Sequence, residues 1–376
     1  LLVTQGPAGI VNAARAYSGR RRQGVAPTVP LDIAPVVGHP IVPHAQPVAI
    51  VVCVHNALDD VKNCLGSVLR HTAQPYQLIV VDDGSDAPTR DHLAAFAAEH
   101  GITLARNEVA QGYTLAANQG MRLTSAPYVL LLNSDTIVSE GWLDRLVVCA
   151  ESDPTIGLVG PLSNTASWQS IPELFQNGDW SDNALPPGMG IADMAHMVAL
   201  ASAQTYPRLG FLNGFCLLIK RTVIDRLGLF DEETFGRGYG EENDYCLRAT
   251  GAGFTLAVAD DVYVFHAQSR SYSTERRRLL SKAADVALAR KHGQPPIDAG
   301  VLLCRSDRAI EGVRVHASML FERHALTEAG RSRWSGKRVI FVLPVQEAGG
   351  GANVVVNEAR AMRRMGVDAQ LLNFSA

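Results

Sequence analysis

Four polar clusters stand where apolar runs stop, and each carries residue types that can do chemistry. In "YVLLLNSDTIV", residues 128 to 138, the run ends at Asn133, Ser134 and Asp135. Mg²⁺ or Mn²⁺ in a phosphate site takes only one or two protein carboxylates, so one Asp suffices for a ligand. The same Asp135 also reads as an N-cap for a helix in "SEGWLDRLVVCA". "LIVVDDGSD" ends in Asp82 and Asp83, and alternation along a strand sends one of them into any crevice beyond its end. That carboxylate either closes a local turn or accepts from a base N–H or a ribose hydroxyl. In "GYGEENDYCLRATGAG", Glu241, Glu242 and Asp244 crowd the start of a helix. The helix dipole accounts for part of this, but clustered carboxylates also raise one another's pKa, which suits one of them to take a proton from an incoming hydroxyl. Finally, His266 ends "VYVFH". It is either structural or, as a neutral imidazole, a further ligand for an ion such as Mn²⁺. Ser269, Arg270 and Ser271 follow as phosphate partners.

The elements that must hold these clusters alternate between strand and helix patterns from Val48 onward. "VAIVVCV" is a buried-type strand; Asn56 is placed to cap the next helix, with Val61, Cys64, Leu65, Val68 and Leu69 at helical spacing. "QLIVVDDGSD", "ITLARN" and "YVLLLNSDT" read as further strands, with helices in "RDHLAAFAAEH", ended by Gly101, and "TLAANQGMRLTS". Repeated strand–helix units imply a parallel sheet covered on both faces. Ligands of such sheets bind outside the carboxyl ends of the strands, where Val54 to Asn56, Asp82–Asp83 and Asn133 to Asp135 all fall. The long Leu162 to Pro207 stretch reads as a functional or disordered loop. "FLNGFCLLIK" follows as a strand, "TLAVADDVYVFH" as paired short strands, and Leu279 to His292 as a helix.

Both ends of the chain differ from this middle. Residues 1 to 47, basic in "GRRRQG" and then rich in proline, read as a linker or the tail of a preceding region. From Lys337, "RVIFVLP", "EAGGGAN", "VVVNEARAMRRMG" and "AQLLNF" read as strand, glycine-rich loop, helix and strand. Two strands and one helix are too few to bury both faces of a sheet, so this stretch is expected to open a second nucleotide-binding domain within a larger polypeptide. A dinucleotide fingerprint is disfavoured: counting from Gly349 and Gly351, the third glycine position is Val354.

Composition narrows the classes. The 376 residues are 47% hydrophobic, with net charge −3 and both signs interspersed, so no nucleic-acid groove is advertised. The basic "ERRR" at Glu275 to Arg278 reads as a solvated helix face. No apolar run is long enough to span a bilayer. Six cysteines without CxxC pairing sit mostly among apolar neighbours and point to a reducing compartment, hence the cytoplasm or the inner face of the cell membrane as a peripheral site.

From Val48 to about Tyr272, the chain resembles the family 2 glycosyltransferases of GT-A fold, particularly the branch with rhamnosyltransferases of bacterial surface polysaccharides. The resemblance rests on "IVVCVHN", "LIVVDDGSD", "GYTLAANQG", "LLLNSDT", "LNGFCLLIKR", "GLFDEETFGRGYGEENDYCLRATGAGF" and "VYVFH", in that order. It implies a Rossmann-like mixed α/β sheet flanked by helices over residues 48–300. A linker or helical connection at 301–336 would then lead to an incomplete βαβ fragment at 337–376, which resembles the opening of a family 4, GT-B glycosyltransferase.

The resemblance further implies inverting transfer of a sugar from a nucleotide-diphosphate donor, dTDP-rhamnose or a UDP-sugar, to a glycan or lipid-linked glycan. Val54, Asn56, Asp82, Asp83, Gly112, Asn118, Asn133, Ser134 and Gly214 match donor-contact positions. Asp135 and His266 match the metal ligands for Mn²⁺ or Mg²⁺; Asn133 stands where many relatives carry Asp. Glu242 matches the catalytic base, usually Asp, and its extra methylene lets Glu241 or Asp244 share the role. Trp168 and Phe215 are expected at the acceptor. A donor- or glycan-binding module that has lost turnover is the rival reading.

Overall fold

The computed structural model describes residues 39–236, 238–267, 274–343 and 349–373, with 274–279 and 373 described by backbone alone. Ser269, Arg270 and Ser271, most of the expected N-terminal linker and the side chains of "ERRR" lie outside the described residues. Two compact units divide the chain, Val36–Ser318 and one that includes Met319–Ala376.

In the larger unit, β1 (Val48–Val54), α1 (Leu58–His71), β2 (Tyr76–Asp83), α2 (Ala87–His100), β3 (Thr103–Asn107), α3 (Tyr113–Arg122) and β4 (Tyr128–Asn133) follow one another as the hydrophobic pattern demands. β5 (Thr136–Ile137), α4 (Trp142–Glu151) and β6 (Ile156–Leu162) come next. The Leu162 to Pro207 stretch holds a single turn of 3₁₀ helix (Ser167–Gln169), the hairpin β7 (Phe175–Gln176) and β8 (Asp179–Trp180), and α5 (Ile191–Ala201). Then follow β9 (Arg208–Leu209), β10 (Cys216–Lys220), α6 (Arg221–Leu227), α7 (Glu232–Phe235), α8 (Glu241–Gly251), β11 (Thr255–Tyr263) and β12 (Phe265–His266). Helix α9 (Thr274–His292) comes next, and α10 (Gln294–Ser306) and α11 (Arg308–Trp334) occupy most of the expected connection at 301–336.

The main sheet has the order β3-β2-β1-β4-β10-β6-β11-β9. β1 pairs parallel with both β2 and β4, and β10 runs antiparallel to β4 and β6, so the sheet is mixed. Order reverses at β1, which puts the carboxyl ends of β1 and β4 at the switch point where such sheets bind ligands. β1 and β4 are apolar throughout because both faces are covered. On one face Ile50, Val52, Leu130 and Leu132 share a buried core with Val61, Leu65, Trp142 and Leu146 of α1 and α4.

Three local expectations are corrected. Asn56 does not cap α1: it has φ 60°, and its Oδ1 accepts from Asp86 N at 2.8 Å, so its side chain bridges two loops. "TLAVADDVYVFH" is one long strand, β11, paired parallel with β6, after which β12 leaves the main sheet to pair with β5. Asp135 precedes β5 and is remote from the start of α4 at Trp142, so it is no N-cap.

The smaller unit contains β13 (Arg338–Leu343), α12 (Gly350–Arg364) and β14 (Asp368–Asn373), with β13 and β14 parallel in register from Arg338–Asp368 to Leu343–Asn373. Val339 and Phe341 pack toward the Ala359 side of α12, whereas Ile340 and Val342 on the other face are 53% and 52% exposed. Glu347 and Ala348 of the expected glycine-rich loop lie outside the described residues, and Gly350 to Asn353 form the first turn of α12 rather than loop.

Helix α3 reaches β1 only because position 120 is glycine. A Cβ there would stand 2.2 Å from Val51 Cγ1. Overpacking of this kind outweighs the better helix propensity of alanine. Gly120→Ala should therefore destabilise the larger unit by about 1–3 kcal/mol, read from urea unfolding.

Candidate active site

At the end of β4 the chain turns sharply. Thr136, fully buried, donates from Oγ1 to Asn133 O at 2.8 Å and closes a turn that carries Ser134 and Asp135 at its tip. β12 lies antiparallel to β5, with His266 opposite Thr136, and Ala267 N donates to Asp135 O at 2.9 Å. This brings His266 Nε2 to 3.4 Å from Asp135 Oδ1, each side chain 12% exposed. His266 Nδ1 lies 3.0 Å from Thr165 O, a contact only an N–H can make, so in the neutral ring Nε2 is the acceptor nitrogen. Asn164 fixes the backbone of His266 from both sides, accepting from His266 N at 2.8 Å and donating to His266 O at 2.9 Å. One carboxylate and one imidazole with its far nitrogen tied to a carbonyl form a donor pair that fits a Mn²⁺-like cation. Among the described residues no group of three or more His, Cys, Asp or Glu forms a metal cluster, so further ligands would come from phosphate and water.

The Gly214–Phe215 dipeptide joins this pair to the acidic helix start. Phe215 O accepts from Asn133 N at 2.8 Å, and the Phe215 ring stacks on His266 with centroids 5.1 Å apart and planes 18° off parallel. At 1% exposure Phe215 cannot meet an acceptor, so its expected binding role is corrected to one of positioning the imidazole. Gly214 lies against Glu242: a Cβ on it would sit 3.3 Å from Glu242 Cβ. Tyr113 OH donates to Gly214 O at 3.5 Å, and burial, reinforced by Cys53, Glu241 and Glu242, pushes its phenol pKa well up, so it stays a donor.

The three acids of α8 part ways. Asp244, fully buried, meets Arg248 Nε at 2.8 Å, Lys291 Nζ at 2.8 Å and His292 Nε2 at 2.7 Å. Its carboxylate is spent on tying α9 to α8, which removes it as a base. Glu241 is 5% exposed and its Oε2 has no hydrogen-bond partner among the described residues. Burial, and then the charge of Glu242, drive its pKa well above the ordinary carboxylate range. Burial also raises Glu242, against opposing hydrogen bonds from backbone at Glu242, Gly240 and Asn243. Asn243 Nδ2 donates to Glu242 Oε1 at 3.1 Å.

The positions expected at the nucleotide divide likewise. Val54 is buried at the end of β1, opposite Asp82 in register. Asp82 pairs with Arg106 and accepts from Ser85 N at 3.0 Å. Asp83 accepts from Asn107 Nδ2 and Gln111 N, each at 2.9 Å, and from Gly112 N at 2.8 Å; it thereby folds the 107–112 loop against the switch point. Gly112 holds φ 106°, which favours glycine. Asn118 is fully buried, donating to Phe230 O at 2.9 Å and Glu232 Oε1 at 2.8 Å and accepting from Phe230 N at 3.0 Å, so its amide is saturated away from the crevice. Trp168 is half-buried in the 3₁₀ turn. Asn164 and Thr165, which hold His266, escaped sequence reasoning; the one signal was an unusually polar "SNT" directly after a buried strand.

A large mixed sheet flanked by helices, with acidic clusters at its switch point, defines the GT-A class of α/β fold. Residues 49–173 match the family model for glycosyl transferase family 2. The chain is 23% identical over 315 residues to a pre-mycofactocin glycosyltransferase of Mycobacterium tuberculosis, covering 77% of this chain and 60% of the relative. It is 25% identical over 112 residues to the poly-β-1,6-N-acetyl-D-glucosamine synthase of Staphylococcus epidermidis, covering 30% of this chain and 27% of the relative. The chain spans 60% or less of the length of the curated relatives it matches. Among solved structures, the mannosyltransferase PcManGT from Pyrobaculum calidifontis, in complex with GDP-mannose and Mn²⁺, shares the fold with a TM-score of 0.51 and 18% identity. That match covers 94% of this chain and 89% of the other. No described helix is long and apolar enough to cross a membrane.

The state of Glu241 predicts a pH effect with a definite sign. A carboxyl whose pKa is higher folded than unfolded binds more protons in the folded state, so stability falls as pH rises between the two values. Glu241→Gln keeps the neutral shape and removes that loss. Its melting temperature should exceed the wild type's at pH 7.5, with the gain disappearing near pH 4; equal gains at both values would contradict the assignment.

Proposed function

We propose that the larger unit is an inverting, metal-dependent glycosyltransferase. It would move a sugar from a nucleotide-diphosphate donor to a hydroxyl of a glycan or lipid-linked glycan, with Glu242 as the base. The observation that carries this reading is the Gly214–Phe215 dipeptide. It touches Glu242 on one side and Asn133 and His266 on the other, so one short loop sets the base relative to the metal pair.

In this mechanism Asp83 holds the 107–112 loop through Gly112 N, and Asn56 bridges the loops after β1 and β2. Asp135 and His266 would hold the cation, with Ser134 in the same turn; when bound, the cation neutralises charge developing on the leaving diphosphate. Glu242 accepts the proton of the acceptor hydroxyl as the oxygen attacks the anomeric carbon from the face opposite the diphosphate. Its raised pKa makes it a stronger base than an exposed Glu. Glu241, kept neutral beside it, adds no competing charge.

The ordered motifs favour dTDP-rhamnose or a UDP-sugar as donor and bacterial surface polysaccharide as product. A cytoplasmic setting is supported by six cysteines that are all free thiols. The exposed Ile340 and Val342 face supports Arg338–Leu343 onward as part of a second, GT-B type domain whose other layers would cover it.

Glu242→Gln should lower transfer by about 10²–10⁴-fold without lowering the melting temperature. The wild-type kcat should rise with pH through an apparent pKa above the ordinary Glu value of about 4.3. Nucleoside-diphosphate release from a nucleotide-sugar panel with Mn²⁺ and a glycan acceptor reads both. Unchanged turnover in the variant would displace Glu242 as the base, and no turnover by the wild type would favour a donor-binding module.

A further inference from the structure

The Leu162 to Pro207 region contains an aromatic feature that the transfer chemistry does not use. β7 and β8 form a hairpin about Asn177 and Gly178, both at positive φ (54° and 81°), the conformation of a tight type I′ turn. Phe175 and Trp180 face each other across it, with ring centroids 4.7 Å apart and planes 32° from parallel. Trp168 stands edge-on to both, 5.0 Å from Trp180 at 85° and 6.4 Å from Phe175 at 87°. Phe175 is 51% exposed and Trp180 40%. The two tilted rings and the edge-on third form one aromatic cluster in which Phe175 and Trp180 keep exposed surface.

This hairpin is fastened to the candidate active site. Asn183 Nδ2 donates to Glu173 O at 2.9 Å and to Asn164 O at 2.8 Å, and Asn164 is the residue that grips the backbone of His266. The 3₁₀ turn bearing Trp168 holds the other side, since Asn213 N donates to Gln169 Oε1 at 2.7 Å and Asn213 precedes Gly214, the neighbour of Glu242. Buried Arg314 donates to Trp168 O at 2.5 Å and to Ser170 O at 3.3 Å, which stiffens the turn from below.

We infer that Phe175, Trp180 and Trp168 form a stacking platform for a non-reacting sugar ring, so that the acceptor is a glycan of several rings rather than a single sugar. The inference rests on the transferase reading above. Pyranose rings present an apolar C–H face that packs on an aromatic face, with hydroxyls around the rim for hydrogen bonds. The surroundings suit a neutral, hydroxyl-rich ligand: residues 162–207 contain no Lys or Arg but do contain Glu173, Asp179, Asp182 and Asp193. Anionic lipid headgroups would be repelled by the same charges. An acceptor end delivered to Glu242 would lead its next rings out across the turn and hairpin tied to that site.

Calorimetric titration with tetrasaccharides of glucose, N-acetylglucosamine, mannose and rhamnose tests this, alongside phosphatidylserine vesicles. At least one tetrasaccharide should bind, Trp180→Ala and Phe175→Ala should each weaken it about tenfold, and Trp180→Phe should recover most of the loss. Unchanged melting temperatures would certify the folds. Tetrasaccharide binding indifferent to these variants, no binding by any of the four, or vesicle binding that Trp180→Ala abolishes would each overturn the platform. Hydrolysis of donor by the wild type with Mn²⁺ is scored separately: its absence sinks the transferase reading, while hairpin-dependent glycan binding would still uphold the platform.

Discussion

A two-residue strand pairing sets the geometry on which the candidate site depends. His266 lies opposite Thr136 and Phe265 opposite Ile137, outside the main sheet, and this brings a carboxylate from the end of β4 beside an imidazole far along the chain. Thr136 is buried with its hydroxyl on Asn133 O, so the Asp135 turn has little room to adjust. His266 is fixed by Asn164, Thr165 and the Phe215 ring. Side chains held by packing and outer hydrogen bonds meet a ligand without the entropy loss of ordering them first. The rest of the sheet supplies the rigid floor for that arrangement.

The treatment of buried carboxyls separates scaffold from chemistry. Asp82, Asp144, Asp244 and Asp261 each pair with a cationic or potentially cationic side chain, and Asp260 accepts from Thr205 N and Tyr206 N. Burying charge is tolerable when it is paired in this way. Glu241 and Glu242 break the pattern: both are raised by burial, and neither forms an ion pair among the described residues. Carboxyls perturbed by burial in this way are where catalysis is expected. The first turn of α8 thus holds a structural acid, Asp244, beside two carboxyls, Glu241 and Glu242, that lack its cationic partners.

Much of this was legible in the sequence. Apolar runs gave β1, β2 and β4 nearly to the residue because strands buried on both faces carry a continuous signal, and polar residues at their ends marked the binding edge. The pairing of Asp135 with His266 was expected from resemblance and appears in the geometry as a 3.4 Å approach. What escaped depends on tertiary partners. Asn118 and Asp244 look available in sequence, yet complete burial and saturated hydrogen bonds commit them to α3 and α9. Phe215 was expected at the acceptor, but its ring is buried against His266. The aromatic hairpin was hidden because Phe175 and Trp180 meet only across a turn, although Asn177-Gly178 is a recognisable hairpin signal.

The central claim is that Asp135 and His266 together hold a divalent cation with a nucleoside diphosphate. Electron spin-echo envelope modulation of Mn²⁺ bound to the protein with UDP or dTDP tests it without requiring turnover. A single directly coordinated imidazole ¹⁴N should appear and vanish in His266→Ala. Modulation without a coordinated nitrogen in the wild type, or one that survives in His266→Ala, would contradict the account.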